Sequence, residues 1–325
     1  SLDLEREAGH ATTAELVWWA NALKATCDAM TGDSLAGWEE KDSLAERLAA
    51  LAERARSLAF AMDFRFLMDP EKRLLSIGYR PDLGERDLSC YDLLASEARL
   101  ASFFAIAKGD LPVEHWTRLG RPVTAFEGRG VLLSWSGSMF EYLMPPLVMQ
   151  ERVGGILNQS NAMAVAVQIQ HGNRLGIPWG VSESAFNARD REMNYQYYAF
   201  GVPELGLKRT VGQDVVVAPY ATLLASQIRP HAAVANLRRL EKMGAFGPQG
   251  AYDAVDFTPS RLQEGAKYAV VRNYMAHHHG MSIVAIGNSI LDGIHRTRFH
   301  DDPVIKAAEL LLQEKAPREI VPLTR

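Results

Sequence analysis

The chain has 325 residues, 47% of them hydrophobic and 23% charged, with a formal net charge of −4. That balance can supply a full core, and it excludes the strongly basic surface a phosphate backbone requires, so nucleic acid is not an expected partner. The two cysteines, Cys27 and Cys90, make neither a disulfide framework nor a metal-ligand spacing, and no apolar run approaches the ~20 residues of a membrane span.

The chain opens on Ser1 without a signal-peptide pattern, as expected of a piece cut from a longer protein or of a processed form. Residues 12–31 and 43–62 read as helices. In the second, Leu44, Leu48, Leu51, Ala55, Leu58 and Met62 recur at three- and four-residue steps between Glu and Arg. The period then changes, and residues 64–68, the turn at 69–72 and residues 74–79 predict a short β-hairpin. An acidic, Pro-containing loop follows over 81–88. Residues 89–108 return to helix, with Ser89 as N-cap and Gly109 as the stop. Leu93, Ser96, Glu97, Leu100 and Phe104 fall roughly on one side of it. A carboxylate there is unusual; a surface pair with Arg54 or Arg56 is the plain explanation.

Residues 127–138 look like a strand leaving a Gly turn. The apolar stretch after it holds Glu141 between Phe140 and Tyr142. Burying an ionised carboxylate is costly, so Glu141 is either satisfied by an arginine or functional. Helix 158–175 is amphipathic, with Asn158 or Ser160 as cap and Gly172 and Gly176 near its end. It runs into residues 179–201, WGVSESAFNARDREMNYQYYAFG, where one Trp, two Phe and three Tyr surround Glu183, Arg189, Asp190, Arg191 and Glu192. This stretch reads either as a loop built for sugar rings or as a polar loop capped by buried aromatics. Beyond it come a short strand at 215–217, helices 219–228 and 230–243 bounded by Pro230 and Gly244, and an alternating strand at 250–257. Helices 263–278 and 280–292 are split at His279-Gly280, and a last helix, 303–315, starts at the Asp302-Pro303 cap. About ten helices with a few short strands predict a mainly α fold. An α/α toroid fits, although periodicity alone does not separate it from other helical architectures.

Several chemistries are missing from the sequence. There is no phosphate-binding GxxxxGK[ST] and no dinucleotide GxGxxG, and Ser136 is flanked by Ser134 and Ser138 rather than by the glycines of a nucleophile elbow. Adjacent residues on a helix point ~100° apart, so His277, His278 and His279 do not converge on one ion. No metal and no cofactor is expected; packing, or a hydrogen bond to a sugar hydroxyl or carboxylate, suits them better. Carboxylates remain. Glycosyl transfer needs one carboxyl to protonate the leaving oxygen and a second as base or nucleophile. Glu97, Glu141 and Glu183 lie in apolar or aromatic settings, with Asp92, Asp190, Glu192 and Asp256 as further candidates. Arg189, Arg191 and Arg272 are candidates to orient hydroxyls, and Trp135, Trp179, Tyr195, Tyr197 and Tyr274 to stack on sugar rings.

Long motifs then carry a resemblance: YDLLASEARLASFFAIAKGD (91–110), LSWSGSMFEYLMP (133–145), residues 179–201, LGLKR (205–209), VVAPYAT (216–222), DFTPSR (256–261) and YMAHHHGMS (274–282). From about residue 50 onward the chain closely resembles the central glycoamylase-like domain of bacterial cyclic β-1,2-glucan synthases. The resemblance implies an (α/α)6 barrel over residues 46–325, with residues 1–45 as a helical segment packed on it. It implies β-1,2-glucan as substrate, and a place between a membrane-embedded glycosyltransferase part and a phosphorylase-like part, on the cytoplasmic face of the inner membrane, with no membrane insertion by this chain. The implied reaction closes linear glucan into rings by retaining transglycosylation. Hydrolysis of the same linkage, or glucan binding without turnover, are the alternatives. By position in the motifs, Glu183 is the acid/base and Glu97 the nucleophile, or the reverse, and Glu141 is a third candidate. Trp135, Trp179, Arg189, Asp190, Tyr195, Tyr197, Arg272, Tyr274 and His278 form the implied substrate-binding set. Related β-1,2-glucanases are thought to pass the proton through a substrate hydroxyl, so the carboxyl spacing need not follow the usual ~5 Å of retaining enzymes.

Overall fold

Helices separated by turn glycines and short antiparallel ribbons account for most of the computed structural model, which describes residues 17–31, 38–208 and 214–316. The chain divides into two units, Ser1–Met62 and Asp63–Arg325. The division lies past the end of a continuous helix, so the boundary expected at 45/46 falls inside an element.

The first unit carries α1 (residues 17–31) and α2 (Trp38–Ala61). The start of the expected helix at 12–16 lies outside the described residues. The apolar row of α2 is real in spacing, yet Leu48, Leu51 and Leu58 are all exposed.

The second unit opens with the expected hairpin, β1 (Met68–Asp69) against β2 (Leu74–Leu75). Asp69 Oδ1 accepts the Glu71 and Lys72 amides at 3.0 and 2.8 Å and closes the turn. A second ribbon, β3 (Tyr79–Arg80) with β4 (Glu85–Arg86), occupies the acidic loop. The helix expected over 89–108 is only its second half, α3 (Arg99–Ala107). Ser89 caps nothing, because non-local pairing wins over local propensity: Cys90 bridges Ser76 and Leu93 bridges Gly120, holding this stretch out of helix. Gly109 does end the helix, at φ +85. After α4 (Glu114–Arg118), β5 (Val123–Phe126) and β6 (Arg129–Leu132) form a hairpin. Glu127 and Gly128, both at positive φ, make its two-residue turn.

The short α5 (Met139–Leu143) is nucleated by a capping box of Ser138 and Glu141. Next, α6 (Ile156–Leu175) buries Leu157, Ala164, Val165 and Val167 and packs against α5 and β6. It ends at Gly176 in the left-handed region. Gly172 is required for a different reason: a Cβ there would stand 2.9 Å from Trp179 Cβ.

Residues 179–201 are not a loop. Their centre is a bulged hairpin of β7 (Ser184–Arg189) and β8 (Tyr195–Tyr198), with Ser184 opposite Tyr198 and Ala185 opposite Tyr197. Behind it stands a three-stranded antiparallel sheet, β13 (Ala269–Val271), β12 (Ala254–Asp256) and β9 (Val216–Val217) in that order. The alternation at 250–257 thus splits between β12 and a small ribbon, β10 (Phe246–Gly247) with β11 (Gly250–Ala251). A strand also occupies 269–271, where helix was expected. Past it, α9 (Ala276–Ile290) runs through His279-Gly280 without a break.

The remaining helices are α7 (Pro219–Ala225), α8 (Pro230–Lys242), α10 (Ile294–His300) and α11 (Pro303–Ala308). The Pro230 start and the Gly244 stop hold, and Asp302 Oδ1 accepts the Val304 amide at 2.9 Å as the expected cap. Among them α7 packs on α8 and α9. No helix of the described residues is long and apolar enough to cross a membrane.

Candidate active site

Glu97 sits one turn before α3, partly buried, with its carboxyl beside the Ser96 hydroxyl, which donates at 3.2 Å. Among the described residues it makes no ion pair, and burial raises its pKa. The charges of Glu141 and Glu183 push in the same direction. Its backbone is fixed from one side by Arg99, a fully buried arginine. Nη1 donates to the carbonyls of Ser96 (3.1 Å) and Glu141 (3.0 Å), and Nη2 to the Tyr142 carbonyl (2.9 Å) and to Glu151 Oε1 (2.9 Å). Asn161 Nδ2, from α6, closes the other oxygen of Glu151 at 2.5 Å.

Glu183 hangs at the entrance to β7. Its segment is held from three directions. Gln168 of α6 brackets Val181, accepting its amide and donating to its carbonyl, both at 2.8 Å. Val181 bridges Val217 of β9. A row of hydroxyls then reaches Glu183 itself. Tyr220 Oη donates to the Glu183 carbonyl at 2.9 Å, and Ser182 Oγ lies 2.8 Å from that phenol and 3.0 Å from Ser138 Oγ. Each hydroxyl has one proton, so the order is set: Ser138 donates to Ser182, Ser182 to Tyr220, and Tyr220 to the carbonyl. The Glu183 carboxyl is raised in pKa first by burial and then by the charge of Glu141, while Tyr197 and His278 oppose the shift. Tyr91, half-buried, feels both Glu97 and Glu183, and its phenol is raised by burial and by those two charges. The three carboxyls of the sequence analysis therefore share one electrostatic neighbourhood.

Glu141 differs from the other two. Its carboxyl accepts from Ser134 Oγ (2.8 Å), Ser136 Oγ (2.6 Å), the Ser136 amide (3.1 Å) and the Ser138 amide (2.8 Å). Among the described residues no arginine satisfies it; serines and main-chain amides do.

The candidate binding residues scatter. Tyr197 stands beside the Glu183 carboxyl, close enough to shift its pKa, and its Oη lies 3.2 Å from His278 Nε2. His278 is buried, with Nδ1 2.6 Å from Asp253 Oδ1 and its ring stacked 3.7 Å from that of Tyr220. Trp135 stands exposed, its Nε1 donating to Asp92 at 2.7 Å. Trp179 is a correction: at 4% exposure it belongs to the core, its main chain held by Asn236 at 3.1 and 2.8 Å, and offers no face to a sugar. Arg189, Asp190 and Tyr195 build the hairpin end. Arg189 lies over the Tyr195 ring at 4.1 Å and donates to the Met193 carbonyl, while Asp190 Oδ1 accepts the Asn194 amide at 2.8 Å. Arg272 is exposed beyond β13, and Tyr274 packs on Tyr252 and His279. Asp256 is fully buried and clamped by Arg261 at 2.7 Å.

The Glycoamylase family model, described as "Putative glucoamylase", matches residues 89–303. The chain belongs to this glycoamylase family. It is 60% identical over 320 residues to the cyclic beta-(1,2)-glucan synthase NdvB of Rhizobium meliloti (strain 1021), a match that covers 98% of this chain and 11% of that protein. The chain thus spans about a tenth of the length of that relative. Among solved structures it is similar to an endo-beta-1,2-glucanase from Chitinophaga pinensis, with TM-score 0.61 and 18% identity over 82% of this chain and 65% of that one. It is also similar to a beta-1,2-glucanase from Parabacteroides distasonis, with TM-score 0.58 and 15% identity over 79% of this chain and 40% of that one. These two likenesses are of fold. Within this glycoamylase-family chain, sequence reasoning missed Arg99, Tyr220, Asp253 and Tyr91. Only Arg99 left a trace, as an arginine two residues from a suspect carboxylate.

Proposed function

We propose that this chain acts on β-1,2-glucan as a retaining transglycosylase, closing linear chains into rings. The observation that carries the reading is the pair Glu97 and Glu183, drawn from distant segments, both raised in pKa by burial, with the Glu183 charge adding to the rise at Glu97. Two interacting carboxyls in a desolvated setting do not both ionise readily, so one is poised to give a proton while the other attacks. Glu183 is the acid/base and Glu97 the nucleophile. Glu97 attacks the anomeric carbon as Glu183 protonates the departing oxygen. Glu183 then takes the proton from a hydroxyl at the far end of the same glucan, which displaces Glu97 and closes the ring. Glu141 organises the segment between them. Tyr197 and His278 act at Glu183, and Trp135 and Tyr91 line the approach.

The strong identity to NdvB supports the substrate class. The fold likeness to glucanases supports an (α/α)6 toroid. On this reading the chain works between glycosyltransferase and phosphorylase-like parts of a longer synthase at the cytoplasmic face of the inner membrane. The same scaffold fold in two glucanases favours one second reading, hydrolysis to short reducing oligosaccharides. Incubation with linear β-1,2-glucan and mass analysis separates them, since a ring is one water lighter than a linear chain with the same number of glucose units. Glu97→Gln and Glu183→Gln should each reduce turnover by at least ~10³-fold while the protein stays folded. Full activity in either variant refutes the pair, and glucan binding without any product refutes catalysis.

A further inference from the structure

Tyr197 has one phenolic proton, and its Oη lies 3.2 Å from His278 Nε2 and 3.5 Å from His277 Nε2. The same phenol stands beside the Glu183 carboxyl, close enough for each group to shift the other's pKa. His278 is locked from behind. Its Nδ1 lies 2.6 Å from Asp253 Oδ1, and Asp253 Oδ2 is already engaged by the Ala185 amide at 2.7 Å. Both residues are almost fully buried, and Tyr220, stacked at 3.7 Å with rings 12° apart, fixes the imidazole plane. A carboxylate acceptor at Nδ1 puts the ring proton there and leaves Nε2 as an acceptor.

We propose that Asp253, His278 and Tyr197 are a positioning relay for Glu183, in which the Tyr197 O–H points at His278 while Glu183 is protonated and turns to Glu183 when that proton has left. This rests on Glu183 being the acid/base. In the protonated state Glu183 holds its proton toward the glycosidic oxygen and the phenol donates to His278 Nε2. When the glycosidic C–O bond breaks, the Glu183 proton goes to the leaving oxygen. The phenol then swings about its own C–O bond to donate to the new carboxylate. No heavy atom moves and no proton leaves Tyr197. Its pKa is pushed well above the usual phenol range by burial and by the charges of Glu183 and Asp253, so it stays a donor throughout. The other titratable groups facing these residues are Glu97, Glu141 and Tyr91 toward Glu183, Tyr220 stacked on His278, and His277, whose Nε2 is 3.5 Å from the phenol and whose pKa burial depresses. The relay gives the ionised Glu183 a donor and withdraws that donor while Glu183 carries its proton, so neither half of a double displacement strands it.

The test compares Tyr197→Phe, Asp253→Asn and Glu183→Gln by the pH dependence of turnover on linear β-1,2-glucan. In Tyr197→Phe the carboxylate loses its donor and holds its proton to higher pH. The alkaline limb of kcat/KM should move up by about one pH unit, and kcat should fall ~10- to 100-fold with KM within ~3-fold. Asp253→Asn weakens Nε2 as an acceptor and frees the phenol for the carboxylate, so it should move the limb the other way, downward, by a smaller amount. Tyr197→Phe is isosteric at a half-exposed position, so it reads the relay even where Asp253→Asn lowers thermal stability. An unmoved limb in Tyr197→Phe overturns the relay, whatever happens to rate. An active Glu183→Gln overturns the acid/base reading instead. Glu183→Gln inactive with an unmoved limb in Tyr197→Phe leaves that reading standing and removes the relay.

Discussion

Replacing Arg99 by methionine should be among the most damaging single changes in this chain. The pair Arg99–Glu151 is buried on both sides, 1% and 2% exposed, at 2.9 Å. Without the guanidinium, Glu151 is a buried carboxylate left with the Asn161 hydrogen bond and the charge of Arg296, a loss of about 3–5 kcal/mol. The carbonyls of Ser96, Glu141 and Tyr142 also lose a donor, at about 1 kcal/mol each. The total, about 6–8 kcal/mol, is a large part of the 5–15 kcal/mol that holds an ordinary domain together. Glu151→Leu strands the arginine charge but leaves the three carbonyls served, so it should cost about 3–5 kcal/mol. In the double variant no charge is stranded. It should therefore be less destabilised than the sum of the singles by at least about 3 kcal/mol. Equilibrium urea unfolding followed by tryptophan fluorescence reads all three. Costs that add to within ~0.5 kcal/mol would refute the argument that the ion pair acts as a unit.

The raised carboxyls predict a pH effect on stability. The pKa values of Glu97 and Glu183 rise in the folded protein above an ordinary 4.5, so the native state binds these protons more tightly than the unfolded chain. Their contribution is complete below the unfolded value and declines as pH rises toward the folded one. Glu97→Gln and Glu183→Gln should melt close to the parent at about pH 4 and above it at about pH 8; a parent that gains on both variants as pH rises would contradict this. Gly201→Ala should destabilise by at least about 3 kcal/mol in thermal unfolding, because the new Cβ would lie 1.9 Å from the Ser136 carbonyl oxygen, and main chain cannot step aside as a rotamer can. A loss under about 1 kcal/mol would mean the two segments part easily.

What the sequence made legible was mostly local. Gly109, Gly176 and Gly244 stop their helices and Asp302 starts one, because caps depend on a few neighbouring residues. Elements set by distant partners were misread. The stretch 89–98 has helical spacing but is held out by Ser76 and Gly120, and 269–271 is claimed by β12. The hairpin of 184–198 escaped because aromatics stand on both of its faces and a bulge breaks the alternation. Glu97 and Glu183 were suspect from their surroundings alone. Glu141 carried a readable signature, Ser138 and Glu141 at capping-box spacing, which marks a helix start and gives its carboxyl a structural partner. Trp179 looked like a sugar platform because aromatic content says nothing of burial. Tyr220 and Asp253 left no mark, since a hydroxyl row and a histidine's back partner exist only once the chain is folded.

Glu141 has a consequence for how this site can change over generations. Its carbonyl is gripped by Arg99 beside Glu97, and its carboxyl gathers the serines that lead to Glu183. One five-residue helical turn thus acts as the spacer between two carboxyls that lie 86 positions apart in the chain. Substitutions in that turn alter the gap without altering either carboxyl. On the proposed roles of Glu97 and Glu183, a lineage can therefore trade an attacking sugar hydroxyl for a water molecule while both carboxyls stay fixed, and divergence between ring closure and chain cutting should be sought at residues 134–143 before it is sought at Glu97 or Glu183.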